Sequence, residues 1–200
     1  MPDPKPDRPD VNDYLEHSDI VDYDHPIVKE VAEHLTYGCS DSLAKAKAVY
    51  DFVKNQIFYS FQINATSVTI KASEVLDKGH GTCYSKAHLL AALMRVSGIP
   101  AGFCYQLRYD KETERLFVHG FNSVYIQDSS KWMRLDASFH TDEEREHYDS
   151  FLEQPELIIN KKLGEKDNFA VYLSPSKRVI KALEAFDTVA DLRNHMPARI

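Results

Sequence analysis

The sequence predicts an α+β domain, in which a helical N-terminal half is followed by an antiparallel sheet. Apolar residues recur at helical spacing as far as Gly98. Between residues 102 and 137 the pattern changes to segments rich in aromatic and β-branched residues, separated by polar turns. A run of helices before a run of strands is typical of the α+β class.

Four helices are expected in the first half. Pro26 suits the first turn of the first helix, and residues 38–42 form a break with good capping residues for the second. The fourth helix begins at Cys83 and ends before Gly98 and Pro100, since proline cannot continue it. The first three helices are expected at residues 26–37, 42–58 and 72–77, with a polar loop or short strand at 60–70.

Three strands are expected to form an antiparallel meander after the helices. They are expected at residues 102–109, 115–127 and 131–137. Beyond them, the pattern is compatible with helices at 142–153 and 175–186 and a strand at 169–173. The domain organisation expected is a flexible arm at 1–10 and a single domain over 11–200, with its core at 43–137.

Composition and charge argue against several classes of function. The net charge of −7 argues against binding a nucleic-acid backbone, which needs a basic face. No apolar run reaches the roughly 18 residues of a membrane span, and residues 1–9 lack the apolar core of a secretory signal. Three cysteines without a framework spacing suit a reducing compartment. We therefore expect a cytoplasmic protein whose partners include neither membrane nor nucleic acid.

Cys83 is the strongest candidate for a catalytic residue. It follows Gly79 and Gly81 and begins a helix, where unpaired N–H groups and the helix dipole favour the nucleophilic thiolate. The two glycines are expected to leave room for a substrate backbone. Cys39 and Cys104 lack this context, and we expect both to be small buried apolar residues.

A base and an orienting carboxylate follow Cys83 in the chain. His119 lies on the second predicted strand and Asp136 ends the third, which gives the order nucleophile, base, orienter. The alternatives are a core histidine at 119 and an aspartate at 136 that caps the loop 137–139. The matching positions of the two residues favour the catalytic interpretation.

Further residues are candidates for binding the substrate or stabilising an oxyanion. One oxyanion donor is expected to be the backbone N–H of Cys83, and the second a side chain upstream. The candidates for the second donor are Tyr59, Gln62 and Asn64. His80 and Tyr84, on either side of the cysteine, could line the site, whereas His88 is expected to be structural.

No cofactor and no physiological metal are expected. The sequence has neither a Cys-x-x-Cys pair nor a His-Glu-x-x-His motif. A thiolate and two imidazoles at Cys83, His80 and His119 could bind zinc opportunistically.

These motifs resemble the transglutaminase-like superfamily, the papain-related cysteine enzymes. The resemblance covers roughly residues 43–137 and is carried by the segments 81–84, 95–101 and 132–136 together with His119. The family often has Ala-Trp after its histidine, whereas Gly120 and Phe121 stand here. The resemblance implies a papain-like core in which a cysteine at a helix N-terminus packs on an antiparallel sheet, with Cys83, His119 and Asp136 as the catalytic triad.

The resemblance also implies a class of reaction. The expected chemistry is acyl transfer through a thioester on a peptide or protein amide, with hydrolysis by a peptidase or amidase favoured because the chain is a small single domain. Protein-glutamine crosslinking uses the same triad and stays open. A binding module that keeps the fold without turnover is the alternative of a different class, and acetyl or aryl-amine transfer is a weaker one.

Overall fold

The computed structural model describes residues 3–138, 151 and 158–199, and it confirms the α+β class. Helices occupy the first half of the described chain and an antiparallel sheet follows them. The helices are α1 (Pro26–Thr36), α2 (Ser42–Gln56), α3 (Ala72–Lys78), α4 (Cys83–Val96), α5 (Lys177–Glu184) and α6 (Val189–Asn194). The strands are β1 (Lys5–Pro6), β2 (Phe58–Tyr59), β3 (His80–Gly81), β4 (Ala101–Asp110), β5 (Arg115–Ile126), β6 (Lys131–Leu135), β7 (Lys166–Asp167) and β8 (Ala170–Val171).

α4 is the central helix of the domain. Its residues from Cys83 to Arg95 are all buried, because α1, α2 and α3 pack around it and β4 and β5 cover another side. An apolar helix enclosed on all sides is what its nearly continuous run of alanine, leucine and methionine predicts. Cys83, at its first residue, is therefore held where the helical layer meets the sheet.

The main sheet has four strands in the order β6-β5-β4-β7. β4 and β5 form a long antiparallel hairpin from Ala101–Val124 to Asp110–Arg115, and β6 pairs with the second half of β5. The meander predicted from the sequence is confirmed. The described residues also contain two short parallel pairs, β1 with β8 and β2 with β3.

The remaining segments differ more from expectation. Residues 60–64 form a turn, so the loop alternative holds between 60 and 70. β8 and α5 lie where a strand and a helix were expected, and α6 was not expected. The helix expected at 142–153 lies outside the described residues except for Phe151. At the N-terminus the backbone is extended, and Lys5 N donates to Phe169 O at 2.8 Å.

Arg95 ties the end of α4 to three other segments. Its guanidinium donates to Ala101 O at 3.0 and 2.7 Å, to Glu16 O at 2.6 Å and to Leu173 O at 2.7 Å. Burial lowers its pKa to about 10, well above neutral pH, so the group stays charged. Among the described residues, no helix is long and apolar enough to cross a membrane.

Candidate active site

Cys83 is the first residue of α4 and has no exposed surface. The hydroxyl of Thr82 accepts a hydrogen bond from Ser85 N, and the Ser85 hydroxyl accepts one from Thr82 N, which completes a capping box. This box does not use the N–H groups of Cys83 and Tyr84, which have no acceptor inside the helix. With the helix dipole, they make this end of α4 a place that favours nearby negative charge.

The turn between β3 and α4 depends on Gly81. A Cβ at this position would lie 2.9 Å from Ser85 Oγ and 3.0 Å from Lys86 Cγ, too close for either neighbour to stay in place. The glycine therefore allows the first turn of α4 to fold back against β3. The expectation that Gly81 leaves room for a substrate is wrong, because side chains of α4 occupy that space.

His119 and Asp136 come from neighbouring strands and meet beside Cys83. His119 lies in β5, and Asp136 directly follows β6. His119 Nε2 donates to Asp136 Oδ2 at 2.5 Å, which leaves Nδ1 for an interaction with Cys83, whose proximity helps to raise the pKa of His119. The other Asp136 oxygen accepts hydrogen bonds from the backbone and hydroxyl of Ser138. The structure thus brings together the three residues for which the sequence predicts the roles of nucleophile, base and orienter.

The electrostatic interaction between His119 and Asp136 favours a protonated imidazole. Burial by itself would lower the pKa of His119, but the charge of Asp136 and hydrogen bonds with Asp136 and Cys83 raise it to about 10. Burial by itself would raise the pKa of Asp136, but His119 and Ser138 hold it below its usual range. The side chains of His119 and Asp136 are only 12% and 5% exposed, so solvent screens their attraction weakly. The imidazolium–carboxylate pair therefore persists through neutral pH.

Packing around His119 explains the Gly-Phe sequence that follows it. The ring of Phe121 stacks on the imidazole with centroids 6.0 Å apart and planes at 19°. A Cβ at Gly120 would lie 2.8 Å from Cδ1 of Tyr84, so the strand can pass this ring only with a glycine there. The hydroxyl of Tyr84 in turn donates to Val118 O. Tyr84 thus fastens α4 to β5 next to His119.

A cavity of about 510 Å³ lies on the solvent side of His119. Tyr59, Phe61 and Gln62 of the turn after β2 form one wall, and residues 108–112 of the β4–β5 hairpin, Phe117, His119, Asp136, Arg193 and Met196 form the rest. Its volume is in the range of small-ligand sites. Two predicted substrate-binding residues, Tyr59 and Gln62, line this cavity; Asn64 and Tyr84 do not.

Tyr59 lines the cavity and also interacts with Cys83. Burial and the negative charges of Cys83 and Asp136 raise the pKa of Tyr59 well above 10. The phenol therefore keeps its proton and can donate it in a hydrogen bond. Of the upstream candidates for an oxyanion donor, Tyr59 is the one that interacts with Cys83.

The other two histidines near α4 contact residues of neighbouring turns and loops. His80 Nδ1 lies 2.9 Å from Ser60 Oγ, and burial together with Lys78 lowers its pKa. His88 Nδ1 lies 2.7 Å from Ile70 O, and burial lowers its pKa to about 4. Both imidazoles are neutral at pH 7, and His80 holds the turn at Ser60 whereas His88 holds Ile70 against α4.

Lys86 is a residue near the site that the sequence reasoning missed. It lies one turn after Cys83 and is only 2% exposed. Its Nζ donates to Ile57 O at 2.6 Å, directly before the strand that carries Tyr59. Burial lowers the pKa of Lys86 to about 7, and Asp136 partly opposes this shift. The signal in the sequence was a single lysine inside the apolar run of α4.

Arg193 and Met196 were missed as well, because they come from the far C-terminal segment. Arg193 NH2 lies 2.5 Å from Glu112 Oε2 and 3.7 Å from Asp110 Oδ2, and the guanidinium lies 5.4 Å from the Phe61 ring centre. Pro197 O accepts a hydrogen bond from Val118 N at 2.6 Å. The C-terminal segment is thereby held along β5, where it closes one side of the cavity.

A metal centre finds no support in the described part of the chain. No group of three or more His, Cys, Asp or Glu residues there is arranged to hold an ion.

The comparisons with known proteins point in one direction. The family model described as the transglutaminase-like superfamily matches residues 29–137, which include all three members of the Cys83, His119 and Asp136 cluster. The comparison with curated proteins finds no match.

Among solved structures, one from Cytophaga hutchinsonii named "Putative Cysteine Protease" has 22% identity and a TM-score of 0.54. It is covered over 43% of its length, and 66% of this chain is covered. The periplasmic domain of TgpA from Pseudomonas aeruginosa has 17% identity and a TM-score of 0.46, with 62% of this chain and 45% of that chain covered. The match thus spans less than half of each of these structures, and the first supports the fold.

Proposed function

Because the chain belongs to the transglutaminase-like superfamily, we propose that it is a peptidase or amidase that cleaves amide bonds through a thioester on Cys83. The observation that carries this proposal is the position of His119, which is hydrogen-bonded to Asp136 at 2.5 Å and is close enough to Cys83 for the two groups to interact electrostatically. A thiol paired with an oriented imidazole is what nucleophilic catalysis by cysteine requires. The substrate is a peptide or protein amide.

In the acylation step, the Cys83 sulfur attacks the amide carbonyl carbon and forms a tetrahedral oxyanion. His119, carrying the proton that came from the thiol, passes it to the leaving nitrogen as the C–N bond breaks. An amine leaves and a thioester remains. In the second step His119 takes a proton from water, the hydroxide attacks the thioester and the C–S bond breaks. The products are a carboxylic acid and the regenerated Cys83.

The oxyanion needs two donors that point at the developing charge. The backbone N–H of Cys83 is the first, since the capping box of α4 does not use it. We assign the second to the hydroxyl of Tyr59, which interacts with Cys83 and keeps its proton because burial raises its pKa. Loss of one such donor typically lowers kcat by about 10² to 10³-fold.

The complete burial of Cys83 favours the alternative, a binding module without turnover. A nucleophile with no exposed surface can meet a substrate only after neighbouring groups move. An enzyme that opens on binding its substrate and a protein that has lost turnover make opposite predictions for reactivity. The proposal therefore needs a test of chemistry and a separate test of thiol activation.

The test of chemistry uses a peptide library prepared from an unrelated proteome. The library is incubated with the wild-type protein and with Cys83→Ala, and the products are analysed by mass spectrometry. We expect new peptide termini with the wild type alone, which means hydrolysis. Products joined between glutamine and lysine would instead mean crosslinking by the same thioester. Equal products from the two proteins would rule out catalysis by Cys83.

The test of thiol activation is alkylation by iodoacetamide at pH 6, with Cys39 and Cys104 as internal controls in the same chain. We expect Cys83 to react much faster than either control, because a neighbouring imidazolium stabilises the thiolate, which is the nucleophilic form of a cysteine. Labelling no faster than the controls would mean that Cys83 is inert, and the binding module would replace the enzyme.

A further inference from the structure

The cavity beside His119 has an apolar wall and a rim of charges that are already paired. Phe61, Phe117 and Met196 are partly buried and line it together with the rings of Tyr59 and Tyr109. Phe117 lies edge-on to His119 with centroids 6.1 Å apart, so the apolar wall reaches the catalytic imidazole itself. A group that fills this cavity would thus lie next to the reacting atoms.

The cations of the cavity are bound to acids of the protein. Arg193 pairs with Glu112 at 2.5 Å and with Asp110 at 3.7 Å. Arg108 Nε lies 3.4 Å from Glu165 Oε1. A charged substrate group would have to compete with these pairs while losing its own water, which costs more than it gains.

The Asp110 carboxylate at the cavity is also fully engaged in contacts within the protein. Besides Arg193, Asp110 accepts hydrogen bonds from Glu112 N at 2.9 Å and from the Thr113 hydroxyl at 3.0 Å. Lys111 is exposed to solvent at the mouth of the cavity, so its charge is screened. The cavity therefore offers apolar surface for burial and no strong site for an ion.

We propose that this cavity is a specificity pocket, and that the substrate carries a large uncharged, preferably aromatic, side chain next to the amide bond that is cleaved. The inference rests on the proposed function, since it assigns the substrate class of the same site. A volume of about 510 Å³ accommodates an aromatic ring together with adjoining backbone. Phe61, Phe117 and Met196 are the specificity-determining residues.

The pocket also explains the role of the C-terminal segment. Met196 closes the apolar wall, and its backbone is held by the adjoining Pro197, whose carbonyl accepts from Val118 N at 2.6 Å. Val118 directly precedes His119, so the segment that shapes the pocket is attached next to the catalytic base.

The test uses three iodoacetamides that differ only in the substituent on nitrogen: 2-phenylethyl, 2-carboxyethyl and 2-aminoethyl. The rate of Cys83 alkylation at pH 6 is measured by mass spectrometry and divided by the rate with glutathione. Any opening movement that exposes Cys83 is common to all three reagents and cancels in the ratios. We expect the phenylethyl reagent to react about tenfold or more faster than either charged reagent, since burial of a ring strengthens binding by at least that factor.

Two opposite substitutions of Met196 test whether the size of the pocket sets this preference. Met196→Trp fills the cavity, and we expect it to abolish the advantage of the phenylethyl reagent. Met196→Ala removes apolar wall and should reduce the advantage about threefold to tenfold. Tyr37→Ala, at an exposed position after α1 that does not line the cavity, is the control and should keep the wild-type ratio.

The outcomes separate the two proposals. If unsubstituted iodoacetamide labels Cys83 selectively but the three reagents react alike, the specificity pocket is overturned and the proposed function stands. If a charged reagent reacts fastest, the substrate class is wrong. If Cys83 reacts no faster than Cys39 and Cys104, the proposed function fails, and the pocket inference fails with it.

Discussion

The protein contains two buried thiols, each next to a cation and a carboxylate. Cys83 lies beside His119 and Asp136, and Cys104 lies beside Arg134 and Asp167. Arg134 NH1 bonds to Asp167 Oδ2 at 2.8 Å, much as His119 Nε2 bonds to Asp136 at 2.5 Å. Both clusters thus consist of a thiol, a cation and a carboxylate. They differ in whether the cation can exchange a proton.

The difference lies in the cation and in the backbone around the sulfur. An arginine side chain does not exchange its proton in proteins, whereas a histidine side chain can accept and donate one. Cys104 lies in the middle of β4, and burial raises its pKa to about 12. Cys83 begins a helix and adjoins a cavity through His119. A cation near a thiol is therefore not sufficient for catalysis: the partner must exchange protons, and a substrate must have a place beside it.

The largest expected effect follows from removing the imidazole of His119. His119→Ala should lower the rate of Cys83 alkylation by iodoacetamide at pH 6 by about a hundredfold, because an unassisted thiol of pKa about 8.5 is almost wholly protonated there. Cys104 in the same molecules should stay unreactive, despite the cation of Arg134. A His119→Ala protein labelled as fast as the wild type would show that the imidazole does not activate the cysteine.

The second effect follows from the carboxylate. Asp136→Asn removes the charge that, against burial, raises the pKa of His119, so the imidazolium should persist over a narrower pH range. We expect alkylation of Cys83 at pH 6 to fall about tenfold and its pH midpoint to move upward. Asp167→Asn, in the Cys104 cluster, is the matched control. If both variants give the same profile for Cys83, the effect of Asp136 is not specific.

The third effect is on stability and involves a second buried cation, Lys86. The pKa of His119 is raised to about 10, so its contribution to stability is present below pH 6.5 and is lost as the pH rises toward 10. The pKa of Lys86 is lowered to about 7 by burial, so the unfolded chain binds more protons above pH 7 and stability rises with pH toward 10.5. In the wild type the two contributions oppose each other.

Single variants should separate these contributions. When the pH rises from 6.5 to 8.5, the unfolding free energy of Lys86→Met should fall by about 2 kcal/mol, because only the contribution of His119 remains. Over the same interval the unfolding free energy of His119→Ala should rise by about 2 kcal/mol, because only the contribution of Lys86 remains. Urea unfolding at the two pH values measures both changes, and Cys104→Ser, which leaves both groups in place, is the control. Slopes of the same sign in the two variants would contradict the assignment of opposite shifts to these groups.

The proximity of Cys83, His119 and Asp136 was predictable from the sequence because its signals are local. Cys83 begins a helix after a glycine, and His119 lies on β5 whereas Asp136 directly follows β6. The turn between β5 and β6 is short, so the two strands had to be neighbours. The sheet meander followed from the same short turns. The class of the fold and the three central residues therefore needed no long-range information.

The walls of the site were not predictable, because they depend on contacts between distant segments. α6 has six residues, too few for a clear helical period, and it places Arg193 across the hairpin at Glu112. Lys86 was not singled out in the sequence, because most lysines are exposed and only the packing around α4 buries this one. The role of Gly81 was misjudged for the same reason: its neighbours Ser85 and Lys86 occupy the space only once α4 is packed against β3.

The smallest expected effect tests whether the C-terminal segment limits access to Cys83 but not to Cys104. Arg193 binds Glu112, whose side chain is 73% exposed, so this ion pair contributes about 1 kcal/mol or less to stability. Arg193→Ala should free the turn at Phe61, which the guanidinium now covers at 5.4 Å. Opening the cavity more often should raise the alkylation rate of Cys83 by about fivefold at most. The rate of Cys104 should not change, because its cluster shares no contact with Arg193. An equal increase at both cysteines would mean that the substitution loosens the whole fold, and that the difference between the two thiols lies in their chemistry alone.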